Sequence, residues 1–196
     1  MAHAIAAVPA LSPPRRLAER LVARSSGWAA LASVGIFVVF TALVLPPQAA
    51  RARDYAGEAG SPDSSFWYTP DRLMAWAAAY GPEGRSAYVT ARLTFDVVWP
   101  LVYTAMLVLV LGWLLRRATA PGSTGRLVLL LPIAALLFDY AENISAAVVM
   151  ARYPESTPVL AWLAQVFTAG KWTTLTAAFL AVPVAAVAAV LHRRRA

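Results

Sequence analysis

"LVLLLPIAALLFDYAENISAAVVM", residues 127–150, decides the fold. It is long enough to cross a bilayer as a helix, for which about 20 mainly apolar residues are needed. In its middle, "FDYAEN" (138–143) sets two carboxylates and an amide where hydrocarbon is expected. Three other segments share its length and character: "GWAALASVGIFVVFTALVL" (27–45), "ARLTFDVVWPLVYTAMLVLVLGWLL" (91–115) and "VLAWLAQVFTAGKWTTLTAAFLAVPVAAVAAVL" (159–191). Barrel strands would be alternating runs of about ten residues, which these are not. The pattern predicts an all-α membrane protein, a four-transmembrane-helix bundle with a short amphipathic outer helix. The fourth segment exceeds what a span needs. It must tilt, or begin as an interfacial piece between Pro158 and Gly170.

Composition agrees. The chain has 196 residues, 60% hydrophobic and 14% charged, with a mean hydropathy of +0.60; soluble domains are nearer half apolar and a quarter charged. The absence of cysteine excludes disulfides and thiolate metal sites. The two histidines, His3 and His192, stand near the chain ends, so a histidine-built zinc or haem site inside the membrane is not expected. No cofactor is called for.

The formal charge of +7 is a topology signal. Arg15, Arg16, Arg20 and Arg24 lie in the basic tail (1–26), Arg116, Arg117 and Arg126 in the 116–126 loop, and Arg193, Arg194 and Arg195 in the terminal segment (192–196). Glu19 is the one acid among them. The 46–90 and 151–158 loops are balanced in charge. By the positive-inside rule both ends are cytoplasmic, in a bacterial inner membrane, with anionic headgroups as the counterpart of the arginines and no role in nucleic-acid binding. "ARA" (50–52) fits a cleavage site, but the apolar run before it is longer than a signal core, which favours a retained first helix.

The 46–90 outer loop divides in two. Its first half, rich in Pro, Ala, Gly and Ser, reads as irregular. In the second, Thr69 can cap a helix over 70–80, Pro70 suits its first position and Tyr68 can staple onto Leu73. Leu73, Trp76, Ala77 and Tyr80 share a face, and Gly81-Pro82 ends the run. This helix is expected to lie at the outer membrane surface, either packed on the bundle or gating a pocket beneath it.

Inside the spans stand Asp96, Asp139, Glu142 and Lys171. Unpaired, each costs about 2.5–3.5 kcal/mol at mid-bilayer, so they must face the bundle interior and find partners. Asp139, Glu142 and Asn143 share one helix face, extended by the small Ala135 and Ala146. Arg92 can reach Asp96 at i+4, with Tyr103 on the same helix, and Pro100 frees the Asp96 carbonyl and permits a kink. Thr174 follows Lys171 on the fourth helix. Lys171 can neutralise only one carboxylate. The expectation is that Asp139 pairs with it and that Glu142 keeps a proton, since burial favours the neutral acid.

Three functions use this cluster. The leading one is an outward-opening pocket of Asp96, Tyr103, Asp139, Glu142, Asn143 and Lys171, roofed by the 70–80 helix, for proton-linked or small polar-ligand or lipid-headgroup binding. An intramembrane acid–base enzyme acting on a lipid or polyprenyl substrate is the alternative, although cysteine and a Gly-x-Ser-x-Gly elbow are absent. The third is a purely structural polar cluster that sets helix register. A metal is disfavoured because Lys171 occupies the same electrostatic niche. The Ala177, Ala181, Ala185 and Ala189 stripe is a seam for close helix packing, within the chain or in a homo-oligomer.

Gly84-Arg85, Tyr88, Asp96, Pro100, Tyr103, "FDYAEN" and Lys171-Trp172 together resemble uncharacterised bacterial four-span integral membrane proteins with a D-x-x-E-N motif. The resemblance covers roughly 66–172 and implies the architecture, with no activity attached to it.

Overall fold

The computed structural model describes residues 11–194; His3, Arg195 and the first ten residues of the basic tail lie outside them. The described residues are helical, with no strand among them. Four helical stretches are long and apolar enough to cross a membrane: Gly27–Ala59, Gly81–Ala118, Thr124–Arg152 and Pro158–Arg193. The chain is a multi-pass membrane protein built as a four-helix bundle, with two shorter helices packed at its ends.

The first of these, α1 (Pro13–Arg24), lies within the stretch expected to be a basic tail. It buries Ala18 and Val22, and Val22 joins Leu111, Leu114 and Leu115 of the second span. Glu19 fastens it further. Its carboxylate accepts from the Gly122 amide at 2.8 Å and pairs with Arg126, which also donates to Thr119.

The first span contains α2 (Gly27–Val39), capped by the Ser26 hydroxyl, and α3 (Leu45–Ala56). Between them, Phe40–Val44 form a wide π turn. Pro46 and Pro47 cannot donate to the carbonyls four residues back, and the Leu45 amide reaches the Phe40 carbonyl instead, one residue further than in an α-helix. The first half of the outer loop is therefore largely helical rather than irregular. Its prolines fall in the first turn, where a missing N–H is harmless, and the Ala, Gln and Arg that follow are strong helix formers. Phe37 and Phe40 stack on Trp99 at 5.7 and 5.5 Å and hold this span to the next.

Thr69 accepts from the Arg72 amide at 3.2 Å and starts α4 (Pro70–Ala79). Gly81, at φ +64°, turns the chain out of it. Tyr68, Leu73, Trp76 and Ala77 pack onto Ala146, Val149 and Met150 and onto Ala161 and Ala164, at the ends of the third and fourth spans. Of the two roles expected for this helix, packing is the one seen.

The second span comprises α5 (Gly81–Leu93) and α6 (Phe95–Ala118), interrupted at Thr94 (φ −123°, ψ −79°) shortly before Pro100. A 3₁₀ segment, Thr124–Leu129, leads into α7 (Leu130–Arg152). The last span, α8 (Pro158–Arg193), is one helix of 36 residues that runs through Gly170 and Pro183 without the interfacial break considered above. At 1.5 Å per residue it is about 54 Å long, well beyond a 30 Å hydrocarbon core. Ala185 and Ala189 are buried, and Ala181 and Ala185 pack with Leu111 and Leu114, so the alanine stripe serves as a seam within the chain.

Gly112 marks the closest approach. A Cβ there would lie 2.2 Å from Ser25 Oγ and 2.7 Å from Ser25 Cβ, at the α1–α2 junction. Gly112→Ala is expected to lower stability by about 1–3 kcal/mol, read from thermal unfolding in detergent, with partial recovery in Gly112→Ala/Ser25→Gly. Wild-type stability in the single variant would refute this packing.

Candidate functional site

The interruption at Thr94 places Arg92 and Asp96 on either side of a helix break, and they still meet, Nε to Oδ2 at 3.0 Å. Arg92 does more than the supporting role its spacing suggested. Its Nη1 pairs with Asp63, from the short turn Pro62–Ser64 in the outer loop, and donates to Asn143 Oδ1 at 3.2 Å. The guanidinium lies 4.6 Å from the ring centre of the fully buried Tyr88. One base thus joins the outer loop, α5, α6 and α7.

From Asn143 the network continues inward. Its Nδ2 donates to Asp139 Oδ1 at 2.9 Å, and the Tyr103 hydroxyl donates to Asp139 Oδ2 at 2.8 Å. Asp139 forms no ion pair among the described residues. Lys171 pairs instead with Glu142, whose side chain is buried. The expected Asp139–Lys171 pair is therefore corrected. Lys171 takes Glu142, and Asp139 is the acid of "FDYAEN" left with neutral partners. The Tyr140 hydroxyl turns away to the Val97 carbonyl at 2.8 Å.

Asp96, Tyr103, Asp139, Glu142, Asn143 and Lys171 are each under a tenth exposed, and the structure gathers them in one region. Thr174 does not join them. Its hydroxyl bonds back to the Gly170 carbonyl at 2.7 Å, the usual outlet for a threonine inside a helix. The described residues contain no group of three acidic or histidine side chains placed to hold a metal ion.

A cavity of about 1270 Å³ opens beside the cluster, away from the end of the bundle where α1 packs on the second span. Asp96, Asp139, Lys171 and Arg92 line it, together with Trp99, Tyr103 and Trp172. Its upper wall is α3 and the 60–64 turn. The 70–80 helix was expected to roof this space but packs over α7 and α8 and reaches the cavity only through Tyr80, because α3 occupies the position above the acids.

Asp63 was absent from the residues chosen by spacing, since nothing local in "SPDSS" points to a partner almost 30 positions away. Ser61 donates to its Oδ2 at 2.9 Å, which fixes the carboxylate for Arg92. Burial alone would raise the Asp63 carboxyl, but Arg92 and, more weakly, Lys171 outweigh it and hold it below the usual carboxylate value. Burial also pushes the Tyr80 hydroxyl, which donates to the Gly60 carbonyl at 2.7 Å, up to about 12. The chain matches no protein-family model, no curated protein and no solved structure.

Breaking a buried ion pair from one side strands the other charge, at about 3–5 kcal/mol, whereas removing both partners costs much less. Glu142→Gln and Lys171→Met should each lose stability on that scale, and the double variant should recover most of it. Equal coupling of Lys171 to Asp139 in the same thermal-unfolding cycle would overturn the pairing. Because folding lowers the Asp63 carboxyl, its ionic contribution is complete above the unfolded carboxylate range and fades as pH falls through the lowered value. Hydrogen exchange of the 57–69 loop should therefore accelerate on acidification relative to the core helices. In Asp63→Asn it should already be fast at neutral pH.

Proposed function

We propose that this chain is a bacterial cytoplasmic-membrane protein, with both ends in the cytoplasm, whose outward-opening cavity binds a small polar ligand in exchange with protons. The observation that carries the reading is the access of that cavity to Asp96 and Asp139. Arg92 is shared between Asp63 and Asp96, and Lys171 is taken by Glu142. Asp96 thus only shares a base and Asp139 has none, so each, under a tenth exposed, calls for a proton or a bound group.

The orientation rests on the arginines. Arg15, Arg16, Arg20, Arg24, Arg116, Arg117, Arg193 and Arg194 belong to α1, the end of α6 and the end of α8, where anionic headgroups would meet them. The cavity then faces outward. A purely structural cluster needs no cavity, since fasteners between helices work best when packed dry. An acid–base enzyme would use the same carboxyls, but no feature of the site favours chemistry over binding.

Infrared difference spectroscopy on the purified protein tests this directly. A carboxyl C=O band that titrates with pH is expected, diminished in Asp139→Asn and in Asp96→Asn and retained in Glu142→Gln/Lys171→Met. A wild-type protein without a titrating carboxyl band would contradict the proton-linked reading.

A further inference from the structure

The shape, sign and lining of the cavity narrow the ligand, on the basis of the binding reading above. At its mouth Arg51 and Arg53 of α3 are matched by Asp54 and by Glu83 of α5. At its floor the bases are Arg92 and Lys171, and the acids are Asp96, Asp139 and, behind them, Glu142, with Asp63 reaching Arg92 from the upper wall. The remaining titratable groups there, the hydroxyls of Tyr55, Tyr80 and Tyr103 on the lining and of Tyr88 against Arg92, are neutral. With each base assigned to its carboxylate, the floor keeps an excess of two acids. An anion entering this space would meet both, and a neutral solute would displace neither of their protons.

Asp96 supplies the second observation. It is 7% exposed, lines the cavity, and accepts no hydrogen bond among the described residues, although its Oδ2 meets Arg92 Nε at 3.0 Å. Oδ2 is the fully buried oxygen and lies against Arg92, so the acceptor position left to the cavity is the other oxygen, Oδ1. Around it the walls are aromatic. Trp99 and Tyr103 meet edge to face at 5.8 Å, and Phe95 and Trp172 complete the lining on either side. The negative faces of aromatic rings attract cations, most strongly where water is excluded. Carboxylates on the floor and rings on the walls are the complement of a positive charge carried on an apolar body.

We infer that the cavity binds an organic cation with an apolar body, an amine or a quaternary ammonium or phosphonium, seated between Asp96 and Asp139 and enclosed by Trp99, Tyr103 and Trp172. The monovalent cation displaces one proton from the Asp96–Asp139 pair to solvent and the other proton stays between them, so the bound state keeps the charge of the free state without changing the Arg92 and Lys171 pairs. Affinity therefore rises with pH, by up to about tenfold per unit for each proton displaced.

Tetraphenylphosphonium and its anionic isostere tetraphenylborate are the probes. The full chain in nanodiscs of zwitterionic lipid is titrated calorimetrically in two buffers of different ionisation enthalpy, with empty nanodiscs subtracted. Saturable tetraphenylphosphonium binding with proton release is expected, at least tenfold weaker in Asp139→Asn and in Asp96→Asn. Trp172→Leu, which alters no charge, is expected to weaken binding severalfold and keeps the test open should an Asp variant fold poorly. Equal or tighter binding of tetraphenylborate, or cation binding that releases no proton, overturns the inference. A titrating carboxyl band in a protein that ignores the cation overturns the cation alone and leaves the proton-linked reading standing. Absence of both defeats the two together.

Discussion

Two bases inside a hydrocarbon-facing bundle, Arg92 and Lys171, govern how the rest of the structure is arranged. Neither can stay unpaired there without loss of several kcal/mol, comparable with the whole stability of a small domain. Lys171 meets this constraint with one partner, Glu142, across the α7–α8 contact. Arg92 has no single partner and draws on three elements. Asp63 comes down from the outer loop, Asp96 lies across the Thr94 break, and Asn143 faces it from α7. The tie to Asp63 holds the outer loop against the bundle, and with α3 that turn forms the upper wall of the cavity. Pairing and cavity are thus one construction.

The same arrangement explains why the cluster is more than a fastener. A register-setting ion pair is complete when its charges cancel and its helices close over it. Here closure is prevented by the path of the first span. Its π turn at Phe40–Val44 follows from Pro46 and Pro47, and its anchoring rests on the Phe37, Phe40 and Trp99 stack. Beyond that stack α3 parts from α6 and rejoins the second span only where Tyr55 packs on Gly84 and Tyr88 of α5, and the space left between reaches Asp96 and Asp139.

Much of this was legible in the residues. Span lengths and hydropathy fixed the four-helix class, and Thr69, Pro70 and Gly81 bounded α4 because caps and turns are local chemistry. The Arg92–Asp96 contact followed from i, i+4 spacing. What failed did so for geometric reasons. Asp139 and Glu142 lie about 60° apart around the helix axis, so one can face α6 while the other faces α8, and spacing alone cannot say which. Asp139 went to Tyr103, and Glu142 went to Lys171. Asp63 was invisible because a loop-to-helix contact leaves no periodic trace. The helicity of residues 45–56 was hidden by prolines that happen to fall in a first turn, and the docking of α1 by the habit of reading arginine runs as solvated tails.

Lys171 is the one lysine in the chain, which gives its partner a direct assay. Lysine labelled with ¹⁵N at the side chain reports this site alone, and carboxyl-¹³C labelling can be restricted to glutamate or to aspartate. Dipolar recoupling between the two in membrane-reconstituted protein should show strong dephasing of the Lys171 nitrogen with labelled glutamate and little with labelled aspartate. The glutamate effect should vanish in Glu142→Gln. Strong dephasing from aspartate instead would give Lys171 to Asp139, leave Glu142 as the acid without a base, and contradict the account of which carboxyls remain open to the cavity.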